Sequence, residues 1–123
     1  MRSTLLSALV LFASAASAQS MNAEQFHQRA TALRGKGFMA LFSGSEIKAL
    51  TAEAQAAGKR AADNRKAAVA VGQRPRFCPP KGPVSMGDSE FMTRLSAIPQ
   101  ADRARIDMTE AMTRILAVKY PCG

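Results

Sequence analysis

Between Gly72 and Pro83 the chain carries four prolines and two glycines, and no other feature restricts the architecture as much. Proline fixes φ and lacks a backbone donor, so neither a helix nor a central strand runs through such an interval. The sequence is therefore divided into two parts joined by an extended, fairly stiff loop. Both parts are dominated by alanine, leucine, methionine, arginine, lysine and glutamine, which are helix formers. Neither shows the alternating β-branched pattern of a strand. The expected fold is all-α, a small bundle of about four helices.

The first helix is expected from Asn22 or Ala23 to Arg34, with Phe26, Ala30 and Leu33 on one face, and Gly35 and Gly37 interrupt it. Phe38-Met39-Ala40-Leu41-Phe42 follows, an apolar knot that must be buried or face a partner. Ser43 with Glu46 three residues later reads as a capping box. It opens a long helix in which Ile47, Leu50, Ala54, Ala57, Ala61 and Ala68 form a stripe. Unbroken from Gly44 to Val71, that helix would be about 40 Å long, which in so small a domain leaves a protruding end or a homodimer contact. Gly58 weakens its middle by about 1 kcal/mol relative to alanine and marks a potential bend.

After the loop, Ser85 and Asp88 repeat the capping spacing, and a helix carrying Phe91, Met92 and Leu95 ends at Ile98 before Pro99. A last helix is expected to start near Ala101 or Asp102, with Met108, Ala111, Met112, Ile115 and Leu116 on one face. Asp102 and Asp107 near its start and Lys119 near its end suit the helix dipole, and Glu110 and Arg114 can pair at i, i+4.

Residues 1–18 read as an export signal. A short positive start is followed by an apolar run from Leu5 to Ala15, and Ala16-Ser17-Ala18 offers the small residues that a signal peptidase reads, so cleavage is expected after Ala18. The run is shorter than the roughly 20 apolar residues of a membrane span, and no later run matches it. A single helical domain over residues 19–123, periplasmic and without a transmembrane segment, is the expected mature form. Cys78 and Cys122 are the only cysteines. In an oxidising compartment an isolated pair becomes a disulfide, which here would close a long loop and stabilise the fold by roughly 4 kcal/mol in the chain-entropy treatment. No C-x-x-C spacing suggests redox activity.

The formal net charge is +8, and it is unevenly placed. Lys59, Arg60, Arg65, Lys66, Arg74, Arg76 and Lys81 stand against Asp63 alone. Such a stretch ordinarily suggests nucleic acid, but an exported protein rarely meets any. Anionic envelope surfaces or an acidic protein partner fit better, through long-range attraction. Within the loop, Arg74, Arg76 and Lys81 are the expected partner-binding side chains, because prolines limit the freedom lost on association and arginine is enriched among residues that dominate interface energy. A solvated linker that merely separates two helices is the simpler reading of the same residues.

Enzymatic chemistry finds little purchase. His27 is the only histidine and reads as a surface or capping residue. Bridged cysteines leave no thiolate nucleophile. No zinc spacing, haem-attachment motif or glycine-rich phosphate loop is present. Met92, Met108 and Met112 fall at helical spacing among core residues, which suits packing better than copper ligation. No catalytic residue, metal ligand or cofactor is expected.

The surroundings of the two cysteines carry a likeness. Phe77-Cys78-Pro79-Pro80-x-Gly82, Ile98-Pro99, Arg103 and the closing Leu116-x-x-x-Tyr120-Pro121-Cys122 together resemble the Rap/Tai family of immunity proteins associated with type VI secretion systems. The resemblance covers Phe77 to Cys122 and is most specific in its ending. It implies a small periplasmic helical protein, often dimeric, that binds a peptidoglycan amidase delivered by neighbouring cells and blocks its active site. It thus implies a binder of a cell-wall hydrolase effector. The alternative is a structural or chaperone-like envelope protein that binds anionic surfaces through its basic 59–81 stretch.

Overall fold

The computed structural model describes residues 20–123, so the export signal read at 1–18 lies outside the described residues. The chain forms α1 (Ala23–Gly35), a 3-10 segment (Gly37–Phe42), α2 (Gly44–Ala70), α3 (Asp88–Ala97), α4 (Gln100–Arg103) and α5 (Met108–Lys119). Among the described residues there is no strand, only an isolated antiparallel bridge between Asn22 and Asp107. The fold is a small all-α bundle with one disulfide, Cys78–Cys122.

α1 starts at Ala23, one of the two starts expected from sequence. The Asn22 side chain accepts hydrogen bonds from the amides of Glu24 and Gln25 at 3.0 and 3.1 Å, satisfying donors that the first turn leaves free. Phe26 and Ala30 are buried and Leu33 packs against the same cluster. Gly37 then takes φ 55°, a conformation that costs a glycine little, and the chain turns into the 3-10 segment.

α2 runs unbroken for 27 residues, and Gly58 is helical like its neighbours. A Cβ at that position would meet nothing within 4 Å, so packing does not require the glycine. The stripe along α2 is only partly used: Leu50, Ala57 and Ala61 are buried, while Ile47 remains 40% exposed. α5 lies along α2. Ala57 and Ala61 on one helix and Ala111 on the other are completely or almost completely buried, because short side chains let two helices approach closely. Leu95, Met108 and Ile115 fill the centre, and Phe26 meets Phe91 edge to face at 5.8 Å. Burying side chains of this size contributes roughly 1.5–3 kcal/mol each. Met92, Met108 and Met112 all belong to this core.

Three local expectations fail, two of them where a partner distant in sequence competes. Ser43 makes no side-chain cap at the start of α2. Its capping-box partner Glu46 is instead gripped by Arg29 through two hydrogen bonds of 2.7 and 2.6 Å. Nor does Ser85 cap α3, whose N-cap is Gly87 with no side-chain bond. The single last helix is in fact two, the single turn α4 and then α5, which begins when the Asp107 carboxylate accepts from the Glu110 amide. The break coincides with long-range pairing. Met108 N donates to Met21 O at 2.7 Å and Ala23 N donates to Ile106 O at 3.0 Å, while Asn22 Nδ2 reaches Ala104 O at 3.0 Å. Residues 20–22 are thereby stitched to the far end of the chain, with Met21 N also bound to Glu53 Oε1 at 2.6 Å.

Arg103, at the end of α4, is buried. Its guanidinium meets Glu24 at 2.6 Å and also donates to the carbonyls of Ser96 and Ile98. A buried charge needs such satisfaction on several sides, and here it ties α1, the end of α3 and α4 together.

Candidate partner-binding cleft

α2 ends with Gly72 at φ 76°, and the amides of Gly72 and Gln73 bond back to Val69 O and Ala68 O at 3.1 and 2.9 Å. A left-handed residue at this place, usually glycine, closes the helix and sends the chain back toward α5. Arg74-Pro75-Arg76 follows. Phe77 is then driven into the core, 4% exposed. Immediately beyond it Cys78 N donates to Tyr120 O at 2.8 Å, and the disulfide to Cys122 holds the two Cα atoms 5.0 Å apart. The loop is thus fixed at its centre by an aromatic anchor, a backbone bond and a covalent link.

Between this loop, the second half of α2 and the start of α5 lies a cleft of about 550 Å³, whose walls include Asn64, Arg65, Gln73, Arg74, Arg76 and Glu110. Two of its arginines are engaged. Arg65 donates from Nε to Phe77 O at 2.9 Å and lies 6.0 Å above the Phe77 ring. Arg76 grips Glu110 through both guanidinium nitrogens at 2.5 and 2.8 Å. That contact is the main reason why the Glu110 carboxyl lies below the usual glutamate range, and Glu110 in return raises Arg76 further. Arg114 adds a second contact to Glu110 at 3.1 Å.

Of the three side chains expected to meet a partner, two share the cleft. Arg74 is exposed on its wall and makes no salt bridge among the described residues. Arg76 lines the same cleft with its guanidinium paired to Glu110, which ties the loop to α5. Lys81 is exposed beyond the disulfide and is no part of the cleft. Asn64 and Gln73 supply further amide groups that composition did not single out. Asn64 and Arg65 lie between Ala61 and Ala68 at helical spacing, so the cleft wall continues the alanine stripe of α2, and that periodicity was its sequence signal. Arg74 presents a planar fork suited to bidentate contact with a carboxylate.

A second polar group is assembled around His27. Its Nε2 is 3.0 Å from Ser96 Oγ, and burial, followed by the nearby Arg103 charge, pushes the imidazole below its ordinary pKa. The arrangement differs from a nucleophilic triad, in which a carboxylate orients the imidazole. Here the Glu24 carboxylate is held by Arg103 and Gln28. His27, Ser96 and Arg103 instead join α1 to the end of α3. Among the described residues no group of three or more metal-ligating side chains converges, and no helix is long and apolar enough to cross a membrane.

Comparison with protein-family models, characterised proteins and solved structures gives no match for this chain.

Proposed function

We propose that this chain is a binding protein of the periplasm, an immunity-type inhibitor that occupies and neutralises a peptidoglycan amidase toxin of a type VI secretion system. The observation carrying this reading is Arg74: a cation without a salt bridge, on a loop that a disulfide and a buried phenylalanine fix beside a cleft. A side chain displayed on so constrained a loop loses little freedom on association. It suits insertion against an acidic rim or into an active-site cleft, and Asn64 and Gln73 offer amide contacts around it. The inhibitor acts by covering the enzyme, with no reaction of its own.

The test is titration of the purified chain with type VI peptidoglycan amidase effectors. Arg74→Ala is expected to weaken binding about tenfold, the effect of an interface hot spot, while the helical circular-dichroism signal stays unchanged. Unchanged affinity for an amidase so bound would move the contact surface elsewhere. Failure of the wild-type chain to bind or inhibit any of them would remove the inhibitor reading. The envelope-surface alternative is less favoured because much of the basic 59–81 stretch is internally engaged: Lys59 pairs with Asp63, Arg65 with Phe77 and Arg76 with Glu110.

A further inference from the structure

Three side chains of the apolar knot after α1 are exposed. Within the 3-10 segment Leu41 and Phe42 are each 80% exposed and Met39 is 51% exposed, and Ile47 on the first turns of α2 adds a further 40% exposed side chain. The other large exposed apolar residues are valines scattered elsewhere in the sequence. Lys36 Nζ reaches Ser43 Oγ at 3.4 Å across the segment, and the Leu41 and Phe42 side chains contribute little to the core. A glycine on each flank, Gly37 and Gly44, has open space around it. The segment forms a projecting tip.

Cations flank that tip in sequence. Arg34 and Lys36 precede it and Lys48 follows it, all three exposed, and among the described residues none of the three makes a salt bridge. The nearest acid on these turns, Glu46, is already neutralised by Arg29. Beneath the tip an apolar groove of about 330 Å³, with Leu33, Ala40, Ile47 and Leu50 in its walls and Arg34 at its edge, continues the apolar surface inward, with Asp88 on the α3 side.

We infer that the 3-10 tip is a membrane-docking element that places Leu41 and Phe42 into the outer edge of an anionic bilayer while Arg34, Lys36 and Lys48 meet its phosphate headgroups. Apolar side chains inserted at the headgroup boundary, together with nearby cations, are what interfacial binding requires. A protein partner fits the same surface less well. Projecting side chains on one turn offer on the order of half of the ~800 Å² per partner that a stable protein interface buries, and exposed cations flanking an apolar tip complement headgroups directly. This surface is distinct from the Arg74 cleft, so docking and inhibition are separately testable.

The experiment is vesicle co-sedimentation of the chain exported on its own leader, with its N-terminus fixed by mass spectrometry. Vesicles of phosphatidylglycerol and phosphatidylethanolamine are compared with vesicles of phosphatidylcholine alone. Binding to the anionic vesicles is expected to exceed binding to the zwitterionic ones by about tenfold at low salt and to weaken as salt rises. Leu41→Ser with Phe42→Ser is expected to reduce partition about tenfold with an unchanged circular-dichroism spectrum, since both side chains are already in solvent. Lys36→Gln with Lys48→Gln is expected to lower anionic binding alone, and Arg74→Ala to leave binding as it was. The inference is overturned by absent binding to anionic vesicles at low salt, by wild-type partition of the Leu41/Phe42 variant, or by loss of binding in Arg74→Ala. It is equally overturned if sedimentation velocity shows a wild-type dimer that the Leu41/Phe42 variant dissolves, which would make the tip an interface between two copies.

Discussion

The connection after α2, residues 71–87, is basic and rich in proline, whereas the connection before it, residues 36–43, is apolar. Composition alone would put the second inside the protein and leave the first free in solvent. The structure departs from this in both. Phe77 anchors the basic connection in the core, Arg76 is engaged by Glu110, and the disulfide holds the loop to the chain terminus, while Arg74 and Lys81 stay exposed. The apolar connection turns Leu41 and Phe42 outward. Charge density therefore overstates what a polar segment offers to partners, and hydrophobicity overstates what an apolar segment contributes to the core. Each depends on whether the rest of the fold has a counterpart in place.

Truncation of one aromatic residue in each connection would break or sharpen this contrast most strongly. Phe77→Ala should cost about 3–5 kcal/mol, the usual range for emptying an aromatic site in a core, while Phe42→Ala should change stability by less than about 0.5 kcal/mol. Chemical denaturation of the two variants measures both. Comparable losses would mean that Phe42 contributes to packing after all.

Removing the covalent tether is next in size. Cys78→Ala with Cys122→Ala should lower stability by about 2–5 kcal/mol and speed amide exchange through residues 71–87, leaving residues 36–43 unaffected. Denatured protein isolated from the periplasm with two free thiols per chain would show that the bridge is not formed there.

The smallest effect separates the two arginines of the cleft. Arg76 is more than half exposed in its pair with Glu110, so solvent screening limits the contribution, and Arg76→Ala should cost about 0.5–1 kcal/mol. Arg74→Ala should cost nothing measurable. The pair also has a pH signature. Because Arg76 holds the Glu110 carboxyl below its unfolded value, the associated stability is fully present above about pH 4.3, the ordinary glutamate value. It is lost as pH falls through the lowered native value. Arg76→Ala should therefore flatten the acid limb of the stability curve, measured by urea unfolding across that window, and an unchanged limb would show that Arg76 does not hold the Glu110 proton off.

Much of the scaffold was legible because it rests on local rules. The glycines after Arg34 and the prolines from 75 to 83 mark where helices stop, since breakers act within a turn of their own position. The face formed by Phe26, Ala30 and Leu33, and that of Met108, Ala111, Met112 and Ile115, follow from helical periodicity alone. The Cys78–Cys122 link followed from there being only two cysteines in a chain read as exported.

Whatever depended on distant partners was decided only by the tertiary structure. Ser43 loses its capping box because Arg29, from α1, takes Glu46. The last helix divides at residues 104–107 because residues 21–23 bond there, across more than eighty positions of sequence. Arg103 is a buried strut because Glu24 and two carbonyls converge on it. Among the described residues Arg76 pairs with Glu110 and Arg74 makes no salt bridge, because Glu110 stands opposite only the former. The sequence determined which segments form helices, where α1 and α2 start and stop and which cysteines pair, since those are properties of neighbours or of simple counts. Which charges are spent and which side chains remain in solvent are properties of pairs, and only the folded arrangement brings the pairs together.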